Sequence, residues 1–167
     1  MSAALQHGDR NDRAPSRSMG LDVGDAHIGV ALSDPLGIIA QPYAIVETKG
    51  KRSIQSVISI VAEQDVRTIV VGMPYELSGD IGPQGEKVKR FADDLQAALL
   101  RRKDLKHVAV KLWDERMTTV QAKRVLAGSG LKDKESHTAL DRISAAVILG
   151  SYLESLPTVT SPKNGEN

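Results

Sequence analysis

The sequence predicts an α/β domain built on a mixed, partly antiparallel sheet. Two observations carry that prediction. The first folded-looking stretch, residues 19–46, reads as three successive strands with short turns. From residue 54 onward, segments of helical spacing alternate with short apolar runs. A hairpin-rich start followed by βαβ alternation gives a sheet with helices on its faces. The first three strands are expected to be antiparallel, and the later two parallel to the first.

The elements follow in order. Strand one covers about 19–24 and strand two about 27–33, each alternating apolar with small or polar residues. Leu21 and Val23 share one face of strand one, so Asp22 points to the other with Gly20 and Gly24. In strand two, Ile28, Val30 and Leu32 oppose His27, Gly29, Ala31 and Ser33. Asp34-Pro35-Leu36-Gly37 is a turn signal, and a third strand of about 38–46 follows it. Ile54, Val57, Ile58 and Val61 have helical spacing. Thr68–Gly72 is a short apolar run suited to a buried central strand. Pro83 opens the next helix, with Val88, Phe91, Leu95 and Leu99 as its core face. Val108–Trp113 is the fifth strand. Thr118 and Gln121 form a capping-box pattern for a short helix ending near Gly128 and Gly130. The last helix is expected over about 140–156, carrying Ile143, Val147 and Leu153.

The 167 residues suit one domain with a sizeable core. Residues 1–18 are polar and aperiodic and read as a disordered tail, with 19–156 as the folded domain and 157–167 as a flexible C-terminal tail. The absence of cysteine excludes disulfides and thiolate sites. No run approaches a membrane span, and no signal-peptide core is present, so a cytoplasmic protein is expected. Between 19 and 156 there are 18 basic and 18 acidic residues. Such a neutral domain lacks the basic footprint common in nucleic-acid binders. Residues 116–140 are locally basic, with Arg116, Lys123, Arg124, Lys132 and Lys134 against Asp133 and Glu135.

Three acidic positions carry the candidate chemistry. Asp is depleted in strands, yet Asp22 sits inside one, on a face otherwise cleared of bulk. That surface offers close approach to a ligand such as a phosphate chain. Asp114-Glu115 follows a strand end, the usual place for site residues in α/β sheets. Asp141 has two readings. With Thr138 it forms a capping-box pattern, but Ser144 and Ala145 give its helix a small face that would let it lie close to the sheet. Carboxylates converging from separate elements suit hard divalent cations such as Mg²⁺ or Mn²⁺. Two such ions can support phosphodiester cleavage.

Four segments resemble one known family. GLDVGDAHIGVALSD (20–34), VGMPYELSGDIGPQ (71–84), WDERMTTVQA (113–122) and LDRISAAVILGSYLE (140–154) are similar, in order, to motifs of the YqgF/RuvX family of predicted nucleases. The resemblance implies a ribonuclease H-like fold with a five-stranded mixed sheet of order 3-2-1-4-5. It implies an acidic site of Asp22, Glu115 and Asp141 that holds divalent metal, Mg²⁺ or Mn²⁺, as two ions. Strand periodicity does not choose between Asp114 and Glu115; the family pattern favours Glu115. His27, Gly72, Arg116 and Lys123 are the candidate contacts to a nucleic-acid backbone.

The implied activity is hydrolysis of phosphodiester bonds in 5′-end processing of precursor 16S ribosomal RNA. The nearest alternative is resolution of branched DNA, which would call for a homodimer. A non-catalytic RNA-binding protein of the same fold is a reading of another class. An actin- or sugar-kinase-like ATP module also begins with an Asp- and Gly-containing hairpin, but needs two such subdomains. The chain departs from the family in carrying Ala26 and His27 where a basic pair is usual. That weakens the grip on a phosphate, or makes it depend on protonation of His27. The loop at 75–78 also differs from the family's usual sequence.

Overall fold

The computed structural model describes residues 16–118 and 134–157, and for 134–137 the backbone alone. Five strands form one sheet: β1 (Arg17–Val23), β2 (His27–Ser33), β3 (Ala40–Glu47), β4 (Val66–Met73) and β5 (Ala109–Asp114). Their order is β3-β2-β1-β4-β5. β1 pairs antiparallel with β2, placing Asp22 opposite Gly29, and parallel with β4, placing Gly20 opposite Val70. β2–β3 is antiparallel and β4–β5 parallel. The sheet therefore has the order and strand directions expected from the sequence.

Helix α1 (Lys51–Glu63) and helix α2 (Pro83–Leu100) cover one face. There the alternating large residues Leu21, Val23, Ile28, Val30, Ile69 and Val71 meet Ile54, Val57, Ile58 and Val61 of α1. Val88, Leu95 and Leu99 of α2 complete this larger core. Each fully buried side chain of this kind contributes on the order of 1.5–3 kcal/mol. Phe91 is only half-buried, and Ala92 takes the buried place beside Leu95.

Helix α3 (Lys134–Ser155) covers the other face. Its core is small: Ala31 and Val70 of the sheet against Ala145, Ile148, Leu149, Tyr152 and Leu153. The end near β5 is pinned by side chains. Trp113 Nε1 donates to Ser151 Oγ at 3.2 Å, and the Trp113 and Tyr152 rings meet edge-to-face at 5.5 Å. No described helix is long and apolar enough to cross a membrane.

Two boundaries differ from the sequence pattern. β1 begins at Arg17, so residues 17 and 18 belong to the sheet rather than to a tail. Ser18 N–H donates to Ser33 Oγ at 2.8 Å, and Arg17 Nη1 to the Ser33 carbonyl at 2.9 Å. These polar ties leave no apolar trace in the sequence. α3 is described from Lys134, six residues before its expected start; the segment KESHTA lacks an apolar stripe, so spacing does not reveal it as helix. Asp141 therefore lies inside the helix, and the capping role considered for it is excluded. The short helix expected after Thr118 falls outside the described residues.

Candidate acidic site

Asp22 points from β1 onto the α3 face and is only partly exposed. The small residues beside it, Gly20 and Gly29, make room for a helix. A methyl group at Gly20 would stand 2.6 Å from the Ala145 carbonyl oxygen and 2.7 Å from Leu149 Cβ. One at Gly29, directly across from Asp22, would overlap the backbone carbonyl of Asp141. One at Gly72 would overlap Ile148 and stand 2.8 Å from Glu115 Oε1. Three glycines on three neighbouring strands thus let α3 rest on the sheet backbone. Gly72 makes room for Ile148 and Glu115, so its surface is not open to a nucleic-acid backbone.

The close approach brings acidic groups together. Glu115 begins the 3₁₀ turn Glu115–Met117, directly beyond β5. Asp141 arrives on α3. Burial, followed by repulsion from Glu115 and then Asp141, pushes the Asp22 carboxyl up to about 7. The two neighbours named by that repulsion come from separate elements. Asp114, adjacent to Glu115 in sequence, is engaged elsewhere: Arg116 holds its carboxyl below the usual carboxylate range. The geometry thus separates the two acids that strand periodicity left tied.

Among the described residues, no three acidic, imidazole or thiol groups enclose a ready-made metal cage. The donor set nevertheless fits a hard cation. It consists of carboxylate oxygens, and a positive ion would relieve the repulsion that Asp22 experiences. Asp22, Glu115 and Asp141 are the residues that would hold it.

The other candidates fall out differently. His27 Nδ1 lies 3.9 Å from Asp141 Oδ2, at the edge of the acidic group, with both side chains about one-third exposed. Arg116 donates from Nε to both Asp114 oxygens, at 3.0 and 3.1 Å, and from Nη2 at 2.7 Å. Its guanidinium also lies over the Tyr75 ring at 5.4 Å and donates to the Glu76 carbonyl at 3.4 Å. Lys123 is outside the described residues. Sequence reasoning missed the Tyr75–Glu76 contacts because they join segments 40 positions apart. It also missed Arg142, whose buried Nε has no hydrogen-bond partner among the described residues; it lies within the 140–154 motif, but nothing in the spacing marks it as buried.

A mixed 3-2-1-4-5 sheet that gathers acids from its first strand, the end of its last strand and the final helix has a ribonuclease H-like architecture. A family model described as "RuvX: Holliday junction resolvase" matches residues 16–155, and the chain belongs to that family. It is 38% identical over 153 residues to a protein of Pelotomaculum thermopropionicum, covering 90% of this chain and 95% of that one. It is 42% identical over 144 residues to one of Thermoanaerobacter pseudethanolicus, covering 83% and 96%. Both relatives bear the name "Putative pre-16S rRNA nuclease". Among solved structures, Thermus thermophilus RuvC in complex with a Holliday junction substrate is similar at 17% identity and a TM-score of 0.47, covering 81% of this chain and 92% of that one. The yeast mitochondrial Holliday junction resolvase Ydc2 is similar at 10% identity and a TM-score of 0.49, covering 83% and 78%.

Proposed function

We propose that this protein is a metal-dependent nuclease that hydrolyses phosphodiester bonds in 5′-end processing of precursor 16S ribosomal RNA. One observation carries the chemistry: a partly buried Asp22 whose charge is opposed by Glu115 and Asp141. The relatives' names and the family membership support the activity and substrate.

Asp22 is proposed as the central ligand, fixed by the β1 backbone. Glu115 and Asp141 would complete the shell from the turn after β5 and from α3. A pair of Mg²⁺ or Mn²⁺ ions held there would supply Lewis acidity to a scissile phosphodiester and acidify the attacking water. The protein's own part is to hold the oxygen donors on rigid elements and to keep α3 against the sheet. His27, beside Asp141, and Lys123 are the proposed contacts to the nucleic-acid backbone. With Ala26 in the first turn, that grip depends more on these two side chains.

The description of the matching family model favours a second reading, resolution of branched DNA. A cleavage assay on precursor ribosomal RNA, single-stranded RNA and a four-way DNA junction, each with Mg²⁺ and Mn²⁺, separates the two. Cleavage of precursor RNA that disappears in Asp22→Asn supports the first. Junction cleavage by a dimer, with precursor RNA left intact, supports the second. Full activity on every substrate in a folded Asp22→Asn protein would remove the catalytic assignment.

A further inference from the structure

The Asp114–Arg116 pair brackets Glu115 in a way that the site's chemistry does not itself require. The Asp114 carboxylate accepts from the Arg116 backbone N–H at 2.9 Å as well as from its guanidinium. The chain on either side of Glu115 is thereby closed into a small ring. On the far side, Thr118 donates to the Glu115 carbonyl from N–H at 3.1 Å and from Oγ1 at 2.6 Å. The same guanidinium reaches the loop after β4, over Tyr75 and onto the Glu76 carbonyl. That loop has its own closure. Tyr75 bridges Ile81, Glu76 N–H donates to the Asp80 carbonyl, and Gly79 N–H donates to the Glu76 carbonyl.

We propose that Arg116 is a positioning residue that locks Glu115 in place by tying the turn after β5 to the loop after β4. This rests on Glu115 belonging to the catalytic site. The alternative use for an arginine here is as a phosphate contact. Against it, the planar donor fork is already committed to a carboxylate, and one face of the guanidinium plane lies against the Tyr75 ring. An ion pair this exposed contributes little to stability, so its value lies in geometry. Lysine has a point charge and no fork, and would not reproduce the arrangement.

The test compares wild type with Arg116→Gln, Arg116→Lys, Asp114→Asn and the double variant Asp114→Asn/Arg116→Gln, all checked for native melting. Positioning predicts that kcat falls about 10–100-fold in each, as for groups that orient metal ligands. KM should stay within about twofold, and the double variant should be no worse than the singles, because one unit is being broken. Amide exchange over residues 75–81 should accelerate in Arg116→Gln, a readout that needs no cleavage. A phosphate contact predicts the opposite: raised KM, a binding salt slope smaller by about one, and tighter binding in Asp114→Asn. That pattern, or unchanged kcat and exchange, would overturn the proposal. Glu115→Gln is the separate control. If it leaves cleavage intact, the underlying site assignment fails; if it is dead while Arg116→Gln keeps its kcat, the positioning role alone fails.

Discussion

The two faces of the sheet are built on opposite principles. Toward α1 and α2, alternate positions of β1, β2 and β4 carry mostly large apolar side chains, from Met19 and Leu21 to Val71 and Met73, and helix meets sheet through interlocking side chains. Toward α3, the corresponding positions include Gly20, Gly29, Ala31 and Gly72, and helix meets sheet almost backbone to backbone. The first face makes most of the hydrophobic stabilisation. The second gives some of that up, and in return the helix carries Asp141 to Asp22. Bulk stabilises the domain, and missing bulk shapes the site. The same strands do both because side chains alternate with a period of two.

The comparison breaks most visibly at Asp22. Asp22→Asn removes one charge and almost no volume, and should lower cleavage by at least ~100-fold, exceeding the usual cost of losing a metal's outer partner. Circular dichroism should show the fold unchanged. Full turnover in that variant would place the chemistry elsewhere.

Paired substitutions on the two faces come next. Leu95→Ala, in the core toward α1 and α2, should cost about 2–5 kcal/mol in denaturant unfolding and leave turnover per folded molecule alone. Gly29→Ala, on the α3 face, drives a methyl group into the Asp141 backbone. It should cost about 1–3 kcal/mol and also reduce turnover by an order of magnitude or more, because the helix must move off the sheet. Equal effects on turnover from the two variants would dissolve the distinction between the faces.

Much of this was legible in the sequence, and the failures have physical causes. The strand directions, the Ile54–Val61 stripe and the small face at Ser144–Ala145 are written in alternation and spacing, whereas the strand order is implied only by the family resemblance. The clear glycine surface was legible too, but its occupant was not. A glycine that admits a phosphate and one that admits a helix look identical in sequence, and only the packing of α3 separates them. Asp141 read as a possible cap because the first turns of α3 lack apolar residues. The commitment of Asp114 to Arg116 could not be read from strand periodicity, since both acids lie where the strand is ending.

Smaller effects sharpen the picture of the site. Asp141 lies beyond the first turn of α3, where cap and dipole effects have faded. Asp141→Asn should therefore change stability by no more than about 0.5 kcal/mol, while lowering turnover at saturating metal roughly tenfold or more. A large loss of melting temperature with unchanged turnover would return Asp141 to a structural role. The smallest effect is expected at His27. In an Asp22→Asn background, His27→Arg should tighten nucleic-acid binding a few-fold at low salt, and the gain should shrink as salt rises. Identical affinities at both salt concentrations would mean that position 27 does not meet the backbone.

The central claim is that Asp22, Glu115 and Asp141 form one cation site. Its direct test is the melting temperature of wild type and Asp22→Asn against pH, with EDTA and with Mg²⁺. In the folded protein, burial and the two neighbouring acids raise Asp22 from 3.8 to about 7. Below the lower value it is protonated in both states and costs nothing. As pH rises through that window, the unfolded chain loses its proton while the folded chain keeps it, so metal-free stability falls. The penalty is complete above about 7 and amounts to roughly 4 kcal/mol at most. At pH 8 in EDTA, Asp22→Asn should therefore melt above wild type. Millimolar Mg²⁺ should raise the wild-type melting temperature and leave the variant where it was. Parallel pH profiles in EDTA, together with equal Mg²⁺ shifts in the two proteins, would contradict the account.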